Sequence, residues 1–431
     1  MATPRSVTLL RSETDVFSEP SYDISLANSE VVEYHPLTNI SNPSNPISFY
    51  IQGNDTQYLD FSESRLYLRC KIVDEAGAAT TATDLAPVNN FLHSLFKEVT
   101  VSLNETQITP HTNSYGHKAY IETLLSYGSD YKKSQAQAAM FYREKDGSKK
   151  DDKGVVSRID LTKNSAVFEL LGRLHVDFFG QNRFLIPGID VRIQLTRNSN
   201  ESCLIMFGKD ATKFKVVVEE AKFMLQKHLL LPSILMNQIK ILQQGHPVCY
   251  PMRRTELKNY SIPNGSIQHV NENLLNGLLP DRIVVGLCDS QAFHGTYKTN
   301  PYFYGDHGLR SITVTVNSDH QSTFKYEVDA KNGKIIEAFY GMFSGMGIAE
   351  ADDGIDLTLA EYQHGKQLYV FDLRHVRDDF PIPKHGNIKV ELKFAAGTKS
   401  VLNVLIYAEF PSVLYIDKSR NVYFKDYQKQ R

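Results

Sequence analysis

The stretch LHVDFFGQNRFLIPGIDVRIQL (174–195) is echoed, about two hundred residues later, by LRHVRDDFPIPKHGNIKVEL (373–392). Each run carries a His and reaches an Asp-Phe pair, Asp177-Phe178 or Asp379-Phe380. Each then crosses a proline-bearing loop and leaves through an alternating segment, VRIQL or IKVEL. Alternation with a period of two is the mark of a strand with one buried face. The same corner is therefore written twice, and the order of any further matches decides whether the whole chain is.

Further matches do fall in order. EVTVSLNE (98–105) pairs with SITVTVNS (311–318), each a strand pattern closing on an Asn-polar turn. YIETLL (120–125) pairs with IIEAFY (335–340), which sets Glu122 against Glu337, and each half closes on an apolar run, KVVVEEAKF or NVLIYAEF. Glu122 lies 13 positions further from Asp177 than Glu337 lies from Asp379, and 13 residues is the length of YREKDGSKKDDKG (142–154). So charged and Gly-bearing a stretch reads as a solvated surface loop inserted into the first copy. The chain reads as a tandem duplication, with a period too long and a copy number too low for a solenoid or propeller.

Strand signals dominate both halves. SFYIQ, SRLYLRCKIV, AVFELLGRLHV and FKVVVEEAKFML in the first, and DRIVVGL, KQLYVFDL and VLNVLIYAEF in the second, are rich in β-branched and aromatic residues. Turn signals such as GND, NET and RNSNES separate them. Three helical patches interrupt: 118–128, closed by Gly128; 332–343, followed by a small-residue loop in GMFSGMG; and 231–245, opened by Pro232, stopped by Gly245 and placed between the halves. The expectation is an all-β chain of two tandem eight-stranded antiparallel jelly rolls, a double jelly roll, with short helices in its loops. Its divisions are an N-terminal arm (1–30), a first jelly roll (31–230), a connector helix (231–245), a second jelly roll (246–415) and a C-terminal tail (416–431).

Composition narrows the function. A formal net charge of −2 gives no bulk attraction to nucleic acid or an anionic membrane. Apolar stretches such as KHLLLPSILM are too short to cross a bilayer, and MATPRSVTLLRSETD lacks the apolar core of a secretory signal, so translocation is not expected. Cys70, Cys203, Cys249 and Cys288 are scattered without a CxxC pair, as expected of reduced, mostly buried thiols.

Within this frame, FLHSLFKEVTVSLNETQITPHTNSYGHKAYIETLLSYGSD (91–130) closely resembles the first jelly roll of major capsid proteins of Polinton (Maverick) elements and their adintovirus-like relatives. FGQNRFLIPGIDVRIQLTRN (179–198) and LRHVRDDFPIPKHGNIKVELKF (373–394) extend the likeness over about residues 30 to 415. The resemblance implies a non-enzymatic structural protein of the virion. It would form a homotrimer, a pseudo-hexameric capsomer that tiles an icosahedral shell around double-stranded DNA. Expected partners are other copies of itself and penton or minor capsid proteins, with no sequence-specific nucleic acid and an internal membrane left open. Synthesis is expected in the host cytoplasm, with assembly there or in the nucleus.

The residues carry no expected catalytic, cofactor-binding or metal site. A bicupin enzyme, the alternative from another class, needs His-x-His on a strand, and none occurs. A tandem carbohydrate-binding protein is the third reading. His-Gly at His294, His307, His364 and His385 reads as turns with glycine at positive φ. Gly341, Gly345 and Gly347 do not form a dinucleotide fingerprint, and Ser126 and Ser344 lack a nucleophile elbow. Asp177, Asp378 and Asp379 sit at equivalent corners, which points to structure: capping their turns or pairing with Arg183 and Arg374. In the tail, Lys418, Arg420, Lys425, Lys429 and Arg431 alternate with Tyr423, Phe424 and Tyr427, as a solvated end or a contact surface.

Overall fold

The computed structural model describes residues 25–145, 147–208, 213–317, 323–352, 354–374 and 384–424. The first half contributes β1 (Leu26–Tyr34), β2 (Ile47–Ile51), β3 (Gln57–Asp74), β4 (Phe96–Leu103), β5 (Thr106–Gln107), β6 (Phe168–Gly172), β7 (Val191–Arg197) and β8 (Phe214–Leu230). The second contributes β9 (Val248–Ile262), β10 (Gln268–Leu278), β11 (Arg282–Asp289), β12 (Leu309–Val316), β13 (Thr323–Glu327), β14 (Leu368–Asp372), β15 (His385–Phe394) and β16 (Leu402–Ile416). The hydrogen-bonded orders are β1-β8-β3-β6 and β2-β7-β4-β5, then β9-β16-β11-β14 and β10-β15-β12-β13. Apart from a two-stranded ladder of Leu85–Pro87 with Leu204–Met206 in the first half, adding eight to each strand number converts one half into the other. In each half the first strand pairs with the last and all pairings are antiparallel, which is the winding of a jelly roll. The chain is a double jelly roll.

The duplication reaches individual hydrogen bonds. Val99, Val101 and Leu103 of β4 stand opposite Leu195, Ile193 and Val191 of β7. Ile312, Val314 and Val316 of β12 stand opposite Leu392, Val390 and Ile388 of β15. Both pairs slip register at the same place, between Phe96 and Glu98 and between Leu309 and Ser311. Past each strand an asparagine takes the left-handed conformation, Asn104 at φ 52° and Asn317 at φ 54°. Asn104 Oδ1 accepts from Asp190 N at 2.9 Å while its own N–H donates to Asp190 O at 2.7 Å; Asn317 makes the same two bonds with Asn387, both at 2.9 Å. A short polar side chain that tolerates this φ and bonds its neighbour's backbone suits such a corner.

Each barrel is filled. Phe49, Phe61, Phe178, Phe179 and Phe223 pack the first, with Phe61 stacked on Phe179 at 4.7 Å between ring centres. Ile283, Val285, Ile312, Val390, Val404 and Ile406 pack the second. Full burial of each such side chain is worth about 1.5–3 kcal/mol.

Several expectations change. Pairing begins at Leu26, inside the stretch read as an arm, and Val422–Phe424 pairs with Leu414–Ile416, inside the stretch read as a tail. β9 was hidden by Pro251 and four charged residues; it is an edge strand, where a missing N–H and solvated side chains are tolerated. The stretch 142–154 is not wholly solvated. Glu144 is buried against Arg158 of helix α2 (Lys153–Thr162), whose N-terminus is capped by Asp152.

The other helices also shift. Helix α1 (Tyr115–Ser126) ends because Tyr127 turns extended, and Gly128 has φ −81°, so it is no left-handed terminator. Helix α3 (Pro232–Gln243) is the connector, with Gly245 at φ 92° beyond it. Helix α4 (Ile336–Met346) swallows most of GMFSGMG. A Cβ on Gly341 would meet the Tyr326 hydroxyl at 2.3 Å, and one on Gly345 would meet Val370 Cγ1 at 2.6 Å. These glycines let the helix lie directly on β13 and β14. Asp378, Asp379 and Phe380 of the second corner lie outside the described residues.

Candidate functional site: the seam between the barrels

The two barrels exchange side chains. Tyr120, Ile121, Leu124 and Leu125 of α1 belong to the core of the second barrel, and Tyr120 stacks on Tyr302 at 4.3 Å, 8° from parallel. In return Tyr250, Met252, Leu414 and Ile416 belong to the core of the first. The phenol of Tyr250 accepts from Ile186 N at 3.0 Å and donates to Phe184 O at 3.2 Å, so β9 is pinned to the corner of the first half.

Between them lies a cleft of about 550 Å³ lined by charged residues. Lys118 on α1 bonds Asp177 Oδ1 and stands 3.8 Å from Glu122. The other oxygen of Asp177 accepts the backbone N–H of Thr255 at 2.8 Å, across the seam. Glu122 meets His175 Nδ1 at 2.6 Å and accepts from the Tyr407 hydroxyl at 3.2 Å. Glu409 accepts from Arg282 at 2.8 Å, and Arg282 also donates to Gly345 O.

The charges of this cluster compensate one another. Burial alone would raise the Glu122 pKa, but Lys118, His175 and Tyr407 together hold it below the ordinary value. Burial alone would lower that of Lys118, but Asp177 and Glu122 carry it above the ordinary value. Burial takes the Tyr407 hydroxyl well above the phenol range. The cluster is a set of locked, mutually compensated charges joining α1 and the first corner to β9, β11, β16 and α4.

A second network crosses the seam nearby. Arg143 holds Glu361 with two bonds of 2.8 and 2.9 Å and reaches Asp356 at 2.9 Å. Burial opposes ionisation of Glu361, yet Arg143 and the Thr358 cap bring its pKa down to about 2. Lys366 donates to Glu144 O, and Arg158, fully buried, pairs with Glu144 at 2.7 Å. Lys132 donates to Leu124 O at 2.7 Å, and burial brings its amine down to about 7. His117 is brought down to about 4 by burial; it bonds the Tyr304 hydroxyl at 3.0 Å and stacks on Phe293.

The residues singled out in the sequence scatter. Asp177 pairs with Lys118 and Thr255, not with Arg183, which donates to Cys249 O; Arg374 pairs with Asp372 at 2.8 Å. Asp177 ties the two repeats together instead of capping its own turn. Gly295, Gly308 and Gly365 have positive φ after their histidines. Gly386 does not: it sits in β15, where a Cβ would collide with the Asn317 side chain at 2.1 Å. Cys70, Cys203 and Cys288 are buried thiols pushed up to about 12 by desolvation, and Cys249 is half-buried. Among the described residues no three His, Cys, Asp or Glu side chains are placed to share a metal ion. Where a cupin keeps metal and substrate, these barrels hold packed phenylalanine, valine and isoleucine. Lys118, Arg282 and Glu409 were not legible as a site, because no local spacing links them.

No protein-family model matches the sequence. An uncharacterized protein of Caenorhabditis elegans is 24% identical over 401 residues, covering 89% of this chain and 94% of its own. Among solved structures, a chain of the Sputnik virophage matches at a TM-score of 0.66 with 10% identity, covering 98% of this chain and 94% of that one. The capsid of the virus PBCV-1 matches at 0.56 with 11% identity, over 95% and 99% of the two chains. The major capsid protein of mavirus matches at 0.54 with 11% identity, over 99% and 95%. At these identities the likeness is one of fold, and it runs from end to end.

Proposed function

We propose that this chain is a major capsid protein of the Polinton/Maverick kind, a structural component of a virion that works by assembling with itself. The observation that carries this reading is the end-to-end likeness of a doubled jelly roll to viral capsid chains. A doubled barrel suits the task physically. Three chains around a threefold axis present six similar barrels, so a near-hexagonal block meets its neighbours through similar edges while closed symmetry limits the block itself. The seam supports this role, since each chain must offer its two barrels in one fixed relation. On this reading the chain divides into an arm before Leu26, two jelly rolls joined by a connector (231–245), and a tail after Phe424, since pairing runs from Leu26 to Phe424. The homotrimer is the pseudo-hexameric capsomer of an icosahedral shell around double-stranded DNA, completed by penton or minor capsid proteins. Nucleic acid is enclosed without sequence-specific recognition, and the chain is made in the host cytoplasm before entering the virion.

Light scattering on the purified protein, with negative-stain imaging of the same peak, tests this. The expected result is three times the 48.9 kDa chain and a near-hexagonal outline. A monodisperse monomer carrying a bound metal would overturn it in favour of a bicupin enzyme.

A further inference from the structure

Away from the seam, an apolar groove of about 450 Å³ runs between the corner loop 182–187 and α3 with the residues that follow it, 246–250. Its volume is that of a binding site. Its floor is apolar, with Phe184, Ile186, Leu230 and Leu242, while its charged rim is Arg183 and Arg420. No carboxylate stands among its described lining residues. Arg420 is held in the left-handed region at φ 64°, its carbonyl fixed by Asn104 Nδ2 at 2.7 Å. Its Nη1 is buried without a hydrogen-bond partner, and a buried guanidinium nitrogen left unpaired is costly. The wall formed by α3 is barely covered: of its twelve residues Leu242 alone is buried, with Met236 67% and Ile241 44% exposed.

We infer that this groove is the docking site of the chain's own N-terminal segment, residues 1–24. Continuity favours that segment, because it joins the described chain beside the groove: Leu231 N, at the entry to α3, donates to Ser25 O at 3.1 Å and Leu230 lines the groove. Its composition complements the groove. Leu9, Leu10, Val16 and Phe17 are interspersed with Glu13, Asp15, Glu19 and Asp23, four carboxylates against the two arginines Arg5 and Arg11. A carboxylate on Arg420 would form a charge-assisted bond, and the leucines and phenylalanine would cover the apolar floor. The other terminal segment does not suit the site. Residues 425–431 carry Lys425, Lys429 and Arg431 against a single Asp426, the same sign as the rim. Tethering beside the groove supplies a high effective concentration, so modest contacts suffice. This inference is independent of the capsid proposal and survives its failure.

The half-buried Cys249, which lines the groove, provides the probe in the full-length protein, since the other three thiols are buried. With Ser18→Cys, mild oxidation should join position 18 to Cys249 within one chain, running at monomer mass on a non-reducing gel and mapped by peptide mass. Without that change, alkylation of Cys249 should quicken by about fivefold or more when Leu9→Asp, Leu10→Asp and Phe17→Asp are combined, as expected for loss of a local cover. Arg420→Gln should quicken it in the same direction. Equal alkylation rates in the parent and the triple variant, with no cross-link, would overturn the inference. A cross-link at dimer mass would overturn it too, by assigning the groove to a second copy.

Discussion

Asn104 and Asn317 stand at the same corner of the two barrels, share a left-handed backbone and make the same pair of bonds to the next strand. Glu122 and Glu337, aligned by the same duplication, share little beyond a helix. Glu122 is half-buried in the seam among Lys118, His175 and Tyr407, and Glu337 is exposed in the first turn of α4. The contrast teaches where a duplicated fold keeps its copies alike. A corner answers only to its own barrel, so both copies keep the one solution that closes the strands. A helix at the seam answers to the other copy, and the two copies cannot occupy the same side of one interface.

That contrast can be broken most forcefully at Lys118. Lys118→Met takes the cation from the largely covered Asp177 and the half-buried Glu122 and should cost about 3 kcal/mol. Glu337→Gln should stay within about 0.5 kcal/mol. Denaturant midpoints read both, and equal shifts would erase the distinction. Gly345→Ala should cost about 1–3 kcal/mol, although alanine ordinarily favours a helix, because its Cβ would press on Val370; thermal unfolding decides the sign. Asn104→Ala and Asn317→Ala should each lose about 1–2 kcal/mol, with glycine at either position recovering part of it. Asn104 should be the costlier, since it also holds Arg420 O, and a loss at one corner alone would show that the corners are not equivalent.

A separate expected effect is a slope with pH. Burial brings Lys132 from 10.5 down to about 7, so between those values the unfolded chain holds a proton that the folded chain has released. Raising the pH across that window therefore favours folding, by up to about 1.4 kcal/mol per pH unit. Lys132→Met should flatten the rise in unfolding midpoint measured from pH 7 to 10.

The frame was legible because it is written in short-range terms. The alternation of EVTVSL and SITVTV, the Asn after each, and the VRIQL and IKVEL strands together encode sheet, corner and register within a few residues. β9 was missed because an edge strand with Pro251 need not alternate cleanly, and α2 because its start is wrapped in Lys and Asp. The repeat pattern located Asp177 but not the groups that complete the cluster around it. Thr255, Arg282 and Glu409 come from elements far away in the chain, and no periodicity encodes a contact that exists only once both barrels are in place.

The exchange of side chains across the seam also bears on how the protein is made. When α1 leaves the ribosome, its Tyr120, Ile121 and Leu124 face is already complete, yet Ile406 and Phe410, from the same core, have not been synthesised. At 5–20 residues per second that face waits roughly 15–60 s. The first barrel can close its sheets during translation but stays adhesive until the last strand arrives. Half-made chains growing on one messenger therefore meet with matching greasy faces, and a nascent-chain chaperone has a defined stretch to shield.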